Sequence, residues 1–474
     1  MAFRLPEYKW RIFAVTGFAS ITSGIAISSI TLALPVMADE FGVSMATISW
    51  LSLVYSLIPS CLLLIFGRLA DLYGYKRQFI GGFIVFGLSS LLLPALSRGM
   101  AGLIFFRSLQ SIGYSMMISI TQAMCNRVFP PNERGKALGV NSIFVSIGLS
   151  AGPSISGLLL SRFTWRSVFY FNAPSCFLGL IMTIMVLKKD EPAQGRKPRM
   201  DWLGSMLFAA AVGSLAVAIN FSAEWGLVSA WFISCLVISA ISLAVFIYRE
   251  NHTDEPLMKL GFYKNPVFSL ANCASVCSYA LQQMTNFLVP FYLLNILLVS
   301  KSDAGFITLA TPLAMMLFSP YGGRMADRGG SRKPSVIGLI IIAAGCLGMC
   351  FLTDTAPIVY VIAALFLYGV GNGLSVSAIN SAIFSAAPRE DSGMASGMVA
   401  TLRNLGQGLG VAFGGAIIAV RQNHYLSQRV AARSGGSAGD QIYLMAQRDA
   451  FLFGLGIVIL AIICMSKVPD IVRE

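Results

Sequence analysis

Arg107 is the residue with the clearest chemical potential, because it stands in an apolar stretch long enough to cross a membrane. It lies within residues 103–113 (LIFFRSLQSIG), which continue into apolar residues on both sides. A charge near the bilayer centre costs at least about 2.5–3.5 kcal/mol on insertion scales, so such charges usually serve a function. All 21 acidic residues fall in predicted loops or at predicted helix ends. We therefore expect Arg107 to lack a carboxylate partner inside the membrane.

Other polar and aromatic side chains inside predicted spans could line a wet central cavity together with Arg107. Amides and hydroxyls would bond a solute, and aromatic rings would give apolar contact. For each residue the alternative is an ordinary hydrogen bond between helices, and Arg403 could be structural. The candidate substrate-binding residues are Arg107, Gln110, Tyr114, Tyr55, Asn141, Gln282, Gln283, Asn286, Asn380, Arg403 and Gln407.

Two pairs of similar segments indicate an internal duplication. Residues 67–77 (GRLADLYGYKR) recur as residues 323–333 (GRMADRGGSRK), which places Asp71 and Asp327 at matching positions. Glycines of residues 148–153 (GLSAGP) recur in residues 406–410 (GQGLG) at nearly the same offset. Two offsets that agree within about two residues predict a parallel repeat of a six-helix unit.

The repeated segments also suggest moving parts. Glycines permit a tight turn between helices, and a carboxylate there can cap a helix or pair with a base. We predict that this loop closes one side of the molecule in one state and releases it in the other. A static loop and simple close packing of small residues are the alternatives. The candidate gating residues are Gly67, Asp71, Gly74, Arg77, Asp327, Gly148, Gly152 and Pro153.

The elements that position these residues follow from composition. Of 474 residues, 56% are hydrophobic and only 12% are charged, which is typical of an integral membrane protein and not of a soluble domain. Apolar runs of about 20 residues recur, as helices that cross a bilayer require. We predict an all-α fold with 14 transmembrane helices, near residues 10–36, 47–69, 78–97, 101–125, 137–161, 167–187, 202–221, 228–248, 267–299, 304–321, 334–353, 357–386, 393–420 and 449–467.

The predicted helices group into two six-helix bundles with an inserted pair between them. The division places an N-terminal bundle at 1–190, an inserted helix pair with cytoplasmic linkers at 191–266, and a C-terminal bundle at 267–474. Most of the 34 Lys and Arg residues fall in alternate loops, so both termini are predicted to be cytoplasmic. This bias, and not nucleic-acid binding, accounts for the net charge of +13.

Cofactor and enzyme chemistry are not expected. The nine cysteines include no CxxC pair, both histidines fall in loops, and no phosphate-binding GxxxxGK[ST] loop occurs. The membrane segments contain no converging acids or activated nucleophile that would suggest a membrane enzyme. We therefore expect no metal, no cofactor and no ATP hydrolysis by this chain.

Several motifs in order resemble the major facilitator superfamily, in particular its fourteen-helix drug:proton antiporter branch. Residues 67–77 resemble the family's loop 2–3 motif, residues 107–113 (RSLQSIG) its helix-4 motif, and residues 148–157 (GLSAGPSISG) its helix-5 antiporter motif. Residues 165–174 (WRSVFYFNAP) are similar to a signature of the fourteen-helix branch. The resemblance covers about residues 10–420 and implies a transporter that works by alternating access.

Two positions depart from that pattern. The branch usually carries an Asp nine residues before the Pro of an Ala-Leu-Pro ending, and here Pro35 is preceded at that distance by Ala26. Ser111 replaces a Gly of the helix-4 motif. The missing acid removes the group on which proton coupling in the branch would usually depend.

The expected function is therefore secondary active export of amphipathic drugs or toxic compounds across a bacterial inner membrane. The alternative is export or facilitated passage of a specific anionic metabolite, which the unpaired Arg107 favours. A third alternative is a non-transporting membrane sensor. Expected partners are a small-molecule substrate and the lipid bilayer; protons and a periplasmic adaptor stay open. A monomer is expected, with no nucleic acid bound.

Overall fold

The structure is a computed structural model that describes residues 8–43, 45–130, 133–188, 200–226, 229–253, 256–387, 392–427 and 438–469. Its regular elements within these ranges are α-helices and a 3-10 helix at Leu260–Lys264. In chain order they are α1 (Tyr8–Ser28), α2 (Ile30–Phe41), α3 (Met45–Tyr73), α4 (Tyr75–Leu96), α5 (Met100–Val128), α6 (Arg134–Leu160), α7 (Arg166–Tyr170), α8 (Asn172–Val186), α9 (Trp202–Trp225), α10 (Ala230–Glu250), α11 (Pro266–Asn295), α12 (Lys301–Thr308), α13 (Ala310–Gly329), α14 (Arg332–Cys350), α15 (Ile358–Ala386), α16 (Ser392–Ser427) and α17 (Ala438–Ser466).

The predicted helical membrane fold is confirmed. Within the described residues, 11 helical segments are long and apolar enough to cross a bilayer. Three further long helices, α6, α11 and α16, have 27, 30 and 36 residues but are not among those 11. The count of fourteen spans therefore stays a prediction.

In three predicted spans a single residue separates two regular helices, but that residue keeps right-handed helical φ and ψ angles, so each span continues as a helix. The residues are Ser29 between α1 and α2, Phe171 between α7 and α8, and Leu309 between α12 and α13. Near Ser29, the hydroxyl of Ser28 donates to the carbonyl of Gly24 at 2.9 Å. Such a bond back to the preceding turn bends a helix, and hydropathy alone does not reveal it.

The chain divides into two compact units, each made of residues whose Cα atoms lie close together. The first unit comprises Met1–Leu215, Val237–Phe262 and Phe384–Thr401, and the second comprises Ala216–Leu236, Tyr263–Ile383 and Leu402–Glu474. The division of the sequence into an N-terminal bundle at 1–190, an inserted pair at 191–266 and a C-terminal bundle at 267–474 stays a prediction.

A hydrophobic core holds α4, α5 and α8 together in the first unit. Phe79, Phe83 and Phe86 follow one face of α4 and are buried with Met117 and Ile120 of α5. Burying an aromatic ring of this size stabilises the fold by about 1.5–3 kcal/mol. This core fixes the helix on which Arg107 stands.

The repeat predicted from the sequence is also visible in local packing. In the first unit, a Cβ added to Gly152 of α6 would lie 3.0 Å from the carbonyl of Ile25 on α1. In the second unit, a Cβ added to Gly410 of α16 would lie 2.0 Å from the carbonyl of Ala280 on α11. Each glycine therefore allows its helix to approach the first helix of its own repeat.

Candidate functional site

The side chain of Arg107 lies in the interior of the first unit, with 1% of its surface exposed. Its Nε donates to the carbonyl of Leu51 on α3 at 3.4 Å, and Nη2 donates to the carbonyl of Ala26 on α1 at 3.5 Å. Its Nη1 donates to the side-chain oxygen of Gln110, one turn further along α5. Neutral oxygens therefore solvate the buried charge, and no carboxylate among the described residues pairs with it.

An aromatic ring completes the surroundings of the guanidinium. The Arg107 Cζ atom lies 3.9 Å from the centre of the Tyr55 ring, a cation–π contact worth about 2 kcal/mol where water is excluded. The Tyr55 and Tyr114 ring centres are 5.3 Å apart. The buried hydroxyl of Tyr55 has no hydrogen-bond partner among the described residues.

Gln110 extends this group of residues to α4. Its amide nitrogen donates to the hydroxyl of Ser90 at 2.7 Å, while Ser111 donates to the carbonyl of Tyr55 at 3.2 Å. We call Arg107, Gln110, Tyr55 and Tyr114 the arginine cluster. Four of the predicted binding residues are thus brought together where α1, α3, α4 and α5 meet.

The arginine cluster can hold an anion or the negative end of a dipole, but its closed geometry restricts access. A ligand could reach the guanidinium only if α1 or α3 moved or if one of the long hydrogen bonds were exchanged for a bond to the ligand. At 3.4 and 3.5 Å these two bonds lie beyond the usual 2.7–3.2 Å range, so they are weak and readily replaced.

Asn141 is placed differently from the arginine cluster. Its side-chain oxygen accepts a hydrogen bond from Ser20 of α1 at 3.1 Å, and the residue is buried. This is an ordinary hydrogen bond between helices, which is the alternative to substrate binding for each predicted polar residue. Its role in substrate binding stays a prediction.

The second unit contains a neutral counterpart of the arginine cluster. At the repeat offset read from the glycine pair, Tyr368 matches Gln110 and Asn372 matches Tyr114. Tyr368 and Asn372 of α15 are fully buried beside Thr285 of α11. Their side-chain oxygens lack a normal hydrogen bond among the described residues. Tyr368 and Thr285 were not predicted, although the repeat offset pointed to Tyr368.

The remaining predicted binding residues of the second unit are not joined into one cluster. Gln282 donates to the sulfur of Met315 at 3.5 Å, Gln283 is half-buried, and Asn286 is exposed. Asn380 is buried, and no described residue bonds its side-chain oxygen. Half-buried side chains of α16 complete the group, namely Arg403 and Gln407.

The turn between α3 and α4 is a separate site. One oxygen of Asp71 accepts the backbone N–H of Met394 at 2.8 Å, and the other accepts the hydroxyl of Tyr75 at 2.5 Å. Met394 is in the first turn of α16, whose amides have no partner within the helix. Asp71 therefore caps α16 and lies at the positive end of its dipole. We call this end of the first unit the motif end.

The other predicted gating residues differ in burial and in backbone conformation. Gly74 and its repeat copy Gly330 have φ angles of 105° and 84°, which favour glycine. Gly67 is buried and Arg77 is exposed, whereas Asp327 is half-buried. The close approach of Gly148 and Gly152 to α1 is a packing contact. Pro153 lies within α6, but its side chain falls outside the described residues.

The opposite end of the first unit has a network of its own. Glu40, at the end of α2, accepts the indole N–H of Trp165 at 2.7 Å and pairs with Arg166 at 2.9 Å. The two charged side chains are 36–40% exposed, so the ion pair is worth at most about 1 kcal/mol. The sequence showed Trp165 and Arg166 as part of a motif but not their contact with Glu40.

Comparison with known proteins identifies relatives over nearly the whole chain. The family described as Major Facilitator Superfamily matches residues 16–274 and 271–468. A riboflavin transporter, RibZ of Clostridioides difficile, is 29% identical over 86% of this chain and 88% of its own. The multidrug resistance protein Stp of Mycobacterium tuberculosis is 30% identical over 82% of this chain and 72% of its own.

A similar fold occurs among solved structures. The crystal structure of the human organic anion transporter MFSD10 aligns with a TM-score of 0.66 over 96% of this chain and all of its own, at 14% sequence identity. At that identity the likeness concerns the arrangement of helices alone.

Proposed function

Because this chain belongs to the Major Facilitator Superfamily and is a membrane transporter, not an enzyme, we propose that it exports amphipathic small molecules by alternating access. The observation that carries this proposal is the chain-wide similarity to transporters whose names include multidrug resistance. The similar riboflavin transporter handles a polar aromatic compound. Both suit a protein whose buried polar side chains are mostly neutral hydroxyls and amides.

A second candidate is export of a specific anionic metabolite, and the arginine cluster favours it. A transporter that attracts hydrophobic cations would ordinarily have a buried carboxylate at its binding site. The described partners of Arg107 in the arginine cluster include no carboxylate. A ligand carboxylate or phosphate could replace the long bonds that the guanidinium donates to the carbonyls of Leu51 and Ala26, and pair with it bidentately. In this proposal Arg107 is the anion-binding residue and Tyr55 stacks on its other side.

Alternating access needs contacts that hold each end closed yet break at modest cost. At the motif end, Asp71 caps α16; a carboxylate at a helix N-terminus contributes about 0.3–1 kcal/mol, and about 2 kcal/mol when partly buried. At the opposite end, Glu40 pairs with Arg166. Both contacts are weak enough for ligand binding to shift the balance between states.

Proton coupling, in this proposal, would act through groups at helix ends. Asp39, Glu40 and Asp71 are such groups, and none contacts Arg107. The side chain of Glu224, another acid near a helix end, falls outside the described residues. A pH gradient is therefore a variable in the test and not an assumed driving force.

We further propose the membrane arrangement. Helices α6, α11 and α16 would cross the bilayer in addition to the 11 segments, which would give fourteen spans with the pair α9–α10 as the insertion. Both termini and the motif end would then face the cytoplasm of a bacterial inner membrane, as the basic residues favour. The protein would work as a monomer.

The decisive experiment is transport by purified protein in proteoliposomes. Cationic, neutral and anionic amphipathic compounds, riboflavin among them, would be compared with and without an imposed pH gradient. Movement of several unrelated compounds would support the multidrug proposal, whereas movement of anions alone would support the second candidate. Failure to move any of a broad panel under either condition would count against transport of amphipathic compounds.

A further inference from the structure

Charged residues meet at the motif end where the inserted helices begin and end. Asp201 precedes α9, and both its oxygens accept the Nε–H of Arg249, at 2.8 and 3.0 Å. It also accepts the backbone N–H of Gly204 at 2.9 Å, which caps α9. Burial would raise the pKa of Asp201, but these bonds lower it below the ordinary carboxyl value, so Asp201 is ionised.

Glu250, the last residue of α10, is buried beside this pair with 6% of its surface exposed. Its two oxygens accept the backbone N–H groups of Leu257 and Met258 at 3.2 and 2.9 Å. A Cβ added to Gly204 would lie 3.0 Å from one of those oxygens, so glycine there admits the carboxylate. Arg68 of α3 lies within electrostatic reach of Glu250.

The segment bonded by Glu250 leads to the contact between Asp71 and the backbone N–H of Met394, which we call the gate. The next residue, Lys259, donates its backbone N–H to the sulfur of Met394 at 3.3 Å. Met394 is fully buried, and its own N–H is the one bonded by Asp71. Each step from Glu250 through residues 257–259 and Met394 to Asp71 is thus a contact within the first unit.

We propose that Glu250 is a positioning residue of the gate at the motif end, through which the inserted helix pair stabilises the closed state. The carboxylate fixes residues 257–259, these support the first turn of α16, and that turn presents its amide to Asp71. This rests on the proposed function, in which the Asp71 contact opens and closes.

The chemistry of the contact makes a carboxylate necessary at this position. A carboxylate offers only acceptors and can satisfy both amides of Leu257 and Met258. The amide of Gln would place a donor against one of them and leave that buried N–H unpaired. Glu250→Gln therefore removes the function of the side chain with almost no change in its size.

Hydrogen–deuterium exchange on the full-length protein tests the proposal without any substrate. In Glu250→Gln, peptides that contain Leu257 and Met258, and also the peptide that contains Met394, should exchange faster by about threefold to tenfold. Glu133→Gln is the matched control, because Glu133 pairs with Lys9 at 2.9 Å and stands outside this chain of contacts. It should leave both regions unchanged.

A double variant then tests whether the two acids act together. If Glu250 works through the gate, Glu250→Gln combined with Asp71→Asn should speed exchange at Met394 no more than Asp71→Asn alone. Additive effects would overturn the proposal, as would faster exchange at residues 257–258 with Met394 unaffected. Because the readout is exchange and not transport, a failure here is separate from a failure to find a transported compound.

Discussion

Nη2 of Arg107 donates a hydrogen bond to the backbone carbonyl of Ala26 at 3.5 Å. Ala26 stands where the fourteen-helix antiporter branch that the sequence resembles usually carries an Asp. In place of a carboxylate, the peptide carbonyls, the side-chain amide of Gln110 and the ring of Tyr55 solvate the positive charge of Arg107. The guanidinium thus has no carboxylate partner among the described residues.

Restoring the acid should neutralise the arginine cluster. Ala26→Asp places a carboxylate on the residue whose backbone carbonyl already bonds the guanidinium, and we expect transport of anionic compounds to fall by at least about tenfold. Ala26→Asn has nearly the same size without the charge, and it should retain more transport than Ala26→Asp. Equal loss in both variants, measured in proteoliposomes, would mean that crowding and not charge is responsible.

Removing the guanidinium tests its role directly. Arg107→Ala should abolish transport of an anionic substrate, while Arg107→Lys should restore part of it, because a point charge replaces the planar fork. Circular dichroism and thermal unfolding of both variants would separate loss of fold from loss of binding. Normal anion transport by Arg107→Ala would refute the anion-binding proposal and favour the broad drug exporter.

The gate contact should affect turnover and not affinity. In Asp71→Asn the cap on α16 loses its charge, and we expect a turnover about tenfold lower with nearly unchanged substrate binding. Tyr75→Phe, which removes the hydrogen bond from the phenol to Asp71, should have a milder effect. Weaker binding at a normal cycling rate, seen by comparing equilibrium binding with transport rates, would assign the turn to substrate binding instead.

Close packing of α16 on α11 predicts a sharp contrast between two glycines on one helix. Gly410→Ala would push a methyl group against the carbonyl of Ala280, whereas a Cβ at Gly415 meets no atom within 4 Å. We expect Gly410→Ala to lower thermal stability and transport. Gly415→Ala should be neutral or stabilising by up to about 1 kcal/mol. Similar melting temperatures for the two variants would contradict this packing.

The membrane class and the helical fold follow from the amino-acid sequence alone. Hydropathy depends on side chains alone, and a run of about 20 apolar residues has few stable alternatives to a helix in lipid. The repeat of Asp71 at Asp327 likewise predicted two similar halves, since duplicated motifs retain their local turn, as Gly74 and Gly330 show. Arg107, Gln110, Tyr55 and Tyr114 were also identified as candidates from their position in apolar helices.

Which of those candidates contact one another, and what surrounds them, depends on how the helices pack. Hydropathy did not distinguish Asn141, which bonds Ser20, from Gln110, which bonds Arg107, because side-chain partners depend on helix rotation and separation. The local irregularities at Ser29, Phe171 and Leu309 were also hidden from it. Glu250, a loop-end acid in the sequence, gained its place beside the gate from a contact between segments more than a hundred residues apart. Such contacts are set by the packing of whole helices, and no local pattern encodes them.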